Sequence, residues 1–143
     1  MKHGNNPETA AAFVHGYEMN GSNLYARHNC IYSYCTMIAN KCKGVILLNS
    51  CDYSNTTQRH KLHITRAANV RLFEVPKICG IWGGSEPSEK DNRTNYEYLC
   101  RRAEEAAKKA SKARTDRNRI FWTEEAHRRN NEAADYATIF GVI

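Results

Sequence analysis

The chain has 143 residues, enough for one ordinary domain with a hydrophobic core. Hydrophobic residues make up 41% and charged residues 25%, which is typical of a globular protein and excludes a disordered one. The net charge is +6, and Lys and Arg attract phosphate, so nucleic acid is the leading class of partner. The longest apolar run, residues 45–48, is too short to cross a bilayer, and no secretory signal is recognisable. We therefore expect a cytoplasmic protein that does not bind membranes.

The six cysteines do not have the spacing of a metal site. No Cys-x2-Cys pair is present, and Cys30 and Cys35 fall on opposite faces of a predicted strand. Without a secretory signal, free thiols are favoured over disulfides. We predict neither a metal nor a cofactor.

The first half of the chain alternates helix and strand signals. Asn6-Pro7-Glu8 predicts the start of a helix, and Gly16 predicts its end. A second helix is predicted to begin at Ser54 or Thr56. Strands are predicted over residues 24–28, 30–39, 45–49 and 70–75, with a turn at 19–22. Residues 30–39 have no strongly polar face, so we predict one central strand whose tyrosines belong to the core.

The second half is helical and basic. A capping box at Thr94–Glu97 predicts a helix start, followed by a stripe of Leu and Ala at spacings of three and four. The chain is predicted to bend near Thr115 and to bury a second stripe that includes Trp122. We predict an α+β core unit over residues 1–79, a connecting loop over 80–93, and a basic helical region over 94–143. The fold class is α+β: a small antiparallel sheet with a short packed helix, followed by two helices or one bent helix.

Basic residues dominate the predicted C-terminal helices. Several fall close to one helical stripe, which can follow a phosphate backbone. The alternative is a solvated face with i,i+4 pairs such as Glu104–Lys108, although the pairs at 117/119 and 128/129 lack acids at obvious helical spacing. The candidate nucleic-acid-binding residues are Arg101, Lys108, Lys112, Arg114, Arg117, Arg119, Arg128 and Arg129.

A second candidate site follows the third long strand. His60 with a nearby hydroxyl could form a nucleophile and base, and a helix start can hold an anion. Capping of the helix by these hydroxyls, with His60 packed one turn on, is the simpler interpretation. Trp82 is a candidate for base stacking or for clamping its loop. The candidate anion or partner site consists of Ser54, Thr56, Thr57, His60 and Trp82.

Two phrases carry a family resemblance: residues 32–39 (Tyr-Ser-Tyr-Cys-Thr-Met-Ile-Ala) and 53–60 (Tyr-Ser-Asn-Thr-Thr-Gln-Arg-His). They resemble a family of small uncharacterised bacteriophage and prophage proteins, over about residues 13–68. The matching positions are Tyr32, Ser33, Tyr34, Thr36, Ile38, Ala39, Tyr53, Ser54, Thr56, Thr57 and His60. The resemblance implies a viral origin and the fold of this segment, and no particular activity.

These observations favour a non-enzymatic phage accessory protein that engages nucleic acid, or a host nucleoprotein complex, through basic helices. One alternative is a protein-binding inhibitor of a host defence nuclease, resembling anti-CRISPR proteins. The other is a small enzyme that uses His60. The Ala-rich stripe also leaves a homodimer open.

Overall fold

The computed structural model describes residues 2–78 and 86–142, and it divides the chain into two units, residues 1–87 and 88–143. The first unit contains a seven-stranded sheet and two helices, and the second contains two long helices. The α+β class is confirmed. The sheet is larger than predicted, because short strands extend it at residues 2–3 and at residues 19–20, where a turn was predicted. The sheet is also mixed rather than antiparallel, because the outermost pair on each side is parallel.

The strands lie in the sheet in the order in which they occur in the chain. The five from the second to the sixth pair antiparallel, and the outermost pair on each side is parallel. Their bounds are β1 Lys2–His3, β2 Met19–Asn20, β3 Leu24–Arg27, β4 Cys30–Ser33, β5 Thr36–Cys42, β6 Val45–Asn49 and β7 Leu72–Val75.

Each parallel pair is joined by a helix: α1 (Asn6–His15) follows β1 and α2 (Asn55–Ala67) follows β6. The two helices contact each other and share one core with the sheet. Phe13 of α1 and Ile64 of α2 are completely buried there against Leu24, Ile31 and Ile46 from the strands. Both helices therefore cover the same face of the sheet.

The predicted strand over residues 30–39 is wrong, because Tyr34 takes a left-handed conformation (φ 56°) and turns the chain into a hairpin. Tyr34 is consequently exposed rather than part of the core, and Tyr32 is half-buried. The next hairpin turns at Lys43 and Gly44, both at positive φ, as type I′ turns require. The first helix begins one residue earlier than predicted, because the N-cap is Asn5, whose Oδ1 accepts from the Glu8 N–H at 2.8 Å, and not Asn6. The helix start at residue 55, the helix end at Gly16 and the strand at 45–49 agree with prediction.

The second unit consists of α3 (Glu89–Lys112) and α4 (Asp116–Phe140), packed along each other as a helical hairpin. The predicted helix start at Thr94 is wrong. Ser88 is the N-cap, and its hydroxyl accepts from the Asp91 N–H at 3.1 Å, so α3 takes in residues predicted as loop. The stripe of Leu99, Ala103 and Ala106 is buried as predicted.

The helix break near Thr115 is as predicted: its hydroxyl caps α4 by accepting from the Asn118 N–H at 3.2 Å. Because α4 of the same chain packs on α3, the structure does not require a homodimer to cover the alanines, and that dimer stays a prediction. Within residues 2–78 and 86–142, no helix is long and apolar enough to span a membrane.

Candidate functional site

The segment from Ser54 to His60 forms the start of α2. The Ser54 hydroxyl accepts from the Thr57 N–H at 3.4 Å, which makes Ser54 the N-cap. Thr56 is exposed, whereas Thr57 is buried and its hydroxyl lies 3.0 Å from Ser33 Oγ on β4. Ser54 and Thr57 therefore cap the helix and join it to the sheet.

His60 lies at the centre of a polar network inside this core, and only 1% of it is exposed. Its Nδ1 is 2.7 Å from Ser33 Oγ, and its Nε2 is 3.3 Å from Asn6 Nδ2 on α1. The network consequently links α1, β4 and α2. The predicted site contained His60 but not Ser33 or Asn6, although Ser33 belongs to the first of the two recurring phrases.

The proton on the His60 ring can be placed from a backbone donor. The Ser22 N–H donates to Asn6 Oδ1 at 3.1 Å, which fixes the Asn6 amide so that its Nδ2 donates to His60 Nε2. His60 is then neutral with its proton on Nδ1, and that N–H donates to Ser33 Oγ. Gly21 allows this arrangement, since a Cβ at that position would lie 2.6 Å from Asn6 Oδ1.

This geometry favours a structural role for His60. A general base must accept a proton from its nucleophile, whereas Nδ1 donates to Ser33 and both groups are buried. Burial lowers the pKa of His60, and the neighbouring His63 and Arg59 lower it further. If the ring were protonated, its Nε2–H would face the Nδ2–H of Asn6, and two donors would be left without an acceptor between them. His60 thus stays neutral at physiological pH.

The predicted cations of the helical hairpin fall into two groups, those that form ion pairs and those that do not. In the first group, Arg119 pairs with Asp116 at 2.6 Å. Arg128 pairs with Glu125 and, at 3.9 Å, with Glu132. Arg129 pairs with Glu125 at 2.9 Å and donates to the Arg102 carbonyl of α3 at 3.0 Å.

The expectation that the pairs 117/119 and 128/129 lack acids at helical spacing is therefore wrong for all but Arg117. Asp116 precedes Arg119 by three residues, and Glu125 precedes Arg128 and Arg129 by three and four residues. The ion pairs of Glu125 lower its pKa, and the hydrogen bond with Arg128 contributes most. Arg129 joins the two helices.

The remaining predicted cations are solvent-exposed and carry no ion pair in the described part of the chain. They are Arg101, Lys108, Lys112, Arg114 and Arg117. All but Arg101 lie within two helical turns of the α3–α4 connection. Between Ala106 and Thr123 the chain has six cations and one carboxylate, a net charge of +5 in a chain whose total is +6. The positive charge is thus concentrated at one end of the hairpin.

Exposed aromatic and apolar side chains occupy the same end. Ile120 and Phe121 are 59% and 54% exposed. Trp122 is half-buried, with Lys109 Nζ 4.4 Å from its ring centroid. Phe121 meets Trp122 edge-to-face, with the ring centroids 5.0 Å apart. The predicted buried stripe contained Trp122, and the exposure of Ile120 and Phe121 was not predicted, although three successive large apolar residues cannot all face one helix partner.

The face of the sheet opposite α1 and α2 also carries aromatic residues. A cleft there is lined by Glu18, which precedes β2, and by residues of β3, β4 and the turns that follow them: Tyr25, Arg27, His28, Cys30, Tyr32 and Tyr34. Arg27 is held in place by Asn20 Oδ1 at 2.8 Å and by the Ala26 carbonyl at 2.8 Å. These protein oxygens therefore already satisfy the charge of Arg27. His28, at the same cleft, pairs with Glu18 at 2.9 Å.

Two further predicted features concern cysteines and the connecting loop. The five described cysteines are free thiols, and within residues 2–78 and 86–142 no three His, Cys, Asp or Glu side chains form a group that could hold a metal. Trp82 lies outside the described residues, so its predicted role has no structural counterpart.

Residues 4–70 match the model of a protein family of unknown function (DUF8033). The matched range contains both phrases and the whole His60 network, and it ends before the helical hairpin. No curated protein and no solved structure is significantly similar to the chain.

Proposed function

We propose that this chain is a non-enzymatic phage accessory protein that binds nucleic acid, alone or within a host nucleoprotein complex. Binding is through the end of the helical hairpin that carries Lys108, Lys112, Arg114 and Arg117, called the basic end below. The observation that carries this proposal is the net charge of +5 between Ala106 and Thr123. The phage origin rests on the resemblance of the two phrases.

The placement of the arginines supports a binding role. A helix N-terminus carries partial positive charge, so each cation in the first turn costs about 0.3–1 kcal/mol. Arg117 lies in the first turn of α4, and Arg114 immediately precedes its N-cap. Asp116 offsets only part of this electrostatic cost, because its carboxylate already pairs with Arg119. Such cations are costly for folding and are useful to a surface that binds an anion.

The type of contact follows from the side chains. Lys and Arg on an exposed helix end reach phosphate oxygens, which fixes position without reading sequence. The helical hairpin contains no recognised base-reading motif. We therefore expect affinity that depends on salt and only weakly on sequence.

The test is a salt series with labelled DNA and RNA, using purified, nuclease-treated protein. Each phosphate contact contributes about −0.9 to the slope of log K against log salt on duplex DNA and about −0.7 on single strands. The pair Lys108→Glu and Lys112→Glu should weaken binding and reduce the magnitude of this slope by about 1 to 2.

A matched control lies at the other end of the same helix. Lys90 and Arg93 of α3 are also exposed, and Lys90→Glu with Arg93→Glu makes the same change in net charge. This pair should leave the slope close to that of the unchanged protein. Equal losses from both pairs would mean that only total charge matters, and no binding at low salt would refute the proposal.

The second candidate function is a protein-binding inhibitor of a host defence nuclease. The specific observation that favours it is the exposure of Ile120 and Phe121, since exposed apolar side chains among arginines are typical of binding hot spots. This function predicts a stable co-purifying protein and tolerance of the Lys108 and Lys112 changes.

A further inference from the structure

We infer that the basic end recognises unpaired nucleotides, with the Phe121 ring stacking on a base while neighbouring cations hold the phosphates. This inference rests on the proposed function and names its substrate: single-stranded nucleic acid, or a single-stranded region within a larger one. It assigns a specific role to an aromatic residue that phosphate binding alone does not use.

The state of the Phe121 ring is the first argument. Its edge-to-face contact with Trp122 at 5.0 Å supports the ring, while more than half of the residue stays open to solvent. Trp122 is itself covered by Lys109, which bridges from α3. The aromatic surface that remains accessible at the basic end is therefore mainly that of Phe121, and it is held in place before any ligand binds.

The second argument is the spacing of charge and ring. Arg117 precedes Phe121 by four residues on α4, so the two side chains lie on the same side of the helix. Arg117 carries no ion pair in the described residues and can bind a phosphate. A nucleotide whose phosphate contacts Arg117 then has its base near Phe121. Base stacking on an aromatic side chain contributes about 1–3 kcal/mol, and a duplex does not present its base faces.

Charge decides between the possible occupants of this surface. Within residues 106–123 six cations accompany one carboxylate; Arg117 lies one turn before Phe121 on α4, and Glu124 lies one turn after it. The net excess of cations favours an anionic partner. Binding to an anionic membrane needs a broad apolar helix face, whereas only two large apolar side chains are exposed here, between Arg119 and the half-buried Trp122. A polyanion with flat, stackable faces satisfies both the charge and the ring.

The experiment compares a short labelled single strand with the duplex that it forms with its complement, at one salt concentration and then across a salt series. Phe121→Ala should weaken single-strand binding about 5- to 160-fold, change duplex binding much less, and leave the salt slope nearly unchanged. Phe121→Tyr should retain single-strand affinity because it keeps the ring, and Phe121→Leu should lose it.

Tyr17 supplies the control. It is the most exposed aromatic residue in the described part of the chain, at 68%, and it lies in the first unit. Tyr17→Ala should leave binding to both ligands unchanged. Circular dichroism of each variant checks that the helices remain folded.

The outcomes separate this inference from the function on which it rests. No binding to either nucleic acid refutes both. Salt-dependent binding that does not respond to Phe121→Ala refutes stacking and leaves phosphate binding in place. Vesicles of anionic lipid serve as the third probe: binding to them that requires Phe121, without Phe121-dependent binding to single strands, also refutes the inference.

Discussion

Single residues explain why the two recurring phrases occur together. The first phrase supplies Ser33 on β4, and the second supplies the cap Ser54 together with Thr57 and His60 on α2. Their side chains meet in one buried network, where an unpartnered polar group costs about 1–3 kcal/mol. The pairing of a serine phrase with a histidine phrase is therefore accounted for by the stability of the fold, without catalysis.

The network predicts that acid destabilises the first unit. The folded-state pKa of His60 lies below its unfolded value, so the unfolded chain binds the proton more readily. The stabilisation is fully present above about pH 6.5, the unfolded value, and decreases as the pH falls through that value towards the folded pKa. Urea unfolding at several pH values should show this decrease, with a slope of at most about 1.4 kcal/mol per pH unit from this group.

The matching variant is His60→Gln, which cannot take up that proton. It should be less stable than the unchanged protein at pH 8 by about 1–3 kcal/mol and should lose the His60 share of the acid dependence. His3→Gln, at an exposed position, should keep the full dependence. Parallel pH profiles for His60→Gln and the unchanged protein would contradict the assignment.

At the scale of elements, the helical hairpin is joined by polar contacts as well as by its alanines. Tyr136 is completely buried in α4, and its hydroxyl donates to Asn92 Oδ1 at 2.7 Å and accepts from Asn95 Nδ2 at 2.8 Å. Its ring stacks on Phe140 with centroids 4.4 Å apart. At the opposite end, Lys109 contacts Trp122. The packing of α3 on α4 is thus fixed at both ends.

We predict that Tyr136→Phe destabilises the hairpin by about 1–3 kcal/mol, because two buried amide groups lose the hydroxyl while the ring is retained. Thermal unfolding followed by circular dichroism measures the effect. Tyr98→Phe, at a half-buried position of α3, is the control and should change stability by less. An unchanged melting temperature for Tyr136→Phe would mean that water replaces the hydroxyl.

The helices and strands were predictable where local signals act alone. Capping by Ser54, the Gly16 helix end and the break at Thr115 all depend on residues close in sequence. The hairpin at Tyr34 was not predictable, because the apolar residues on both sides of it resemble one continuous strand. In addition, the positive φ is adopted by a residue other than glycine, which is uncommon. The burial of Tyr136 was not predicted, because Ala137 continues the predicted stripe of Trp122, Ala126 and Ala133 equally well. Only the contacts of Tyr136 with Asn92 and Asn95 on α3 distinguish the two positions.

At the scale of the whole molecule, charge is distributed very unevenly. Apart from the segment between Ala106 and Thr123, the chain is close to neutral. In the described residues, Arg128 and Arg129 contribute to the stability of the hairpin through Glu125, whereas Arg114 and Arg117 pair with no carboxylate. Residue type alone made all of these cations candidates for binding, and only the structure distinguishes those that form ion pairs from those that do not.

This division predicts a conflict between stability and binding. Arg114→Gln with Arg117→Gln removes two cations that repel their neighbours, and Arg117 also opposes the dipole of α4. At low salt the variant should unfold at a higher temperature, with a gain of about 0.5–1.5 kcal/mol, and should bind nucleic acid more weakly. Salt screens both the repulsion within the protein and the attraction to nucleic acid. A higher salt concentration should therefore reduce the difference in stability and the difference in affinity together.

Arg128→Gln with Arg129→Gln is the control and should lower stability instead, because these residues hold Glu125 and the Arg102 carbonyl. If the Arg114 and Arg117 changes also lowered stability, these arginines would belong to the structural group, and their placement would no longer support a binding role for the basic end.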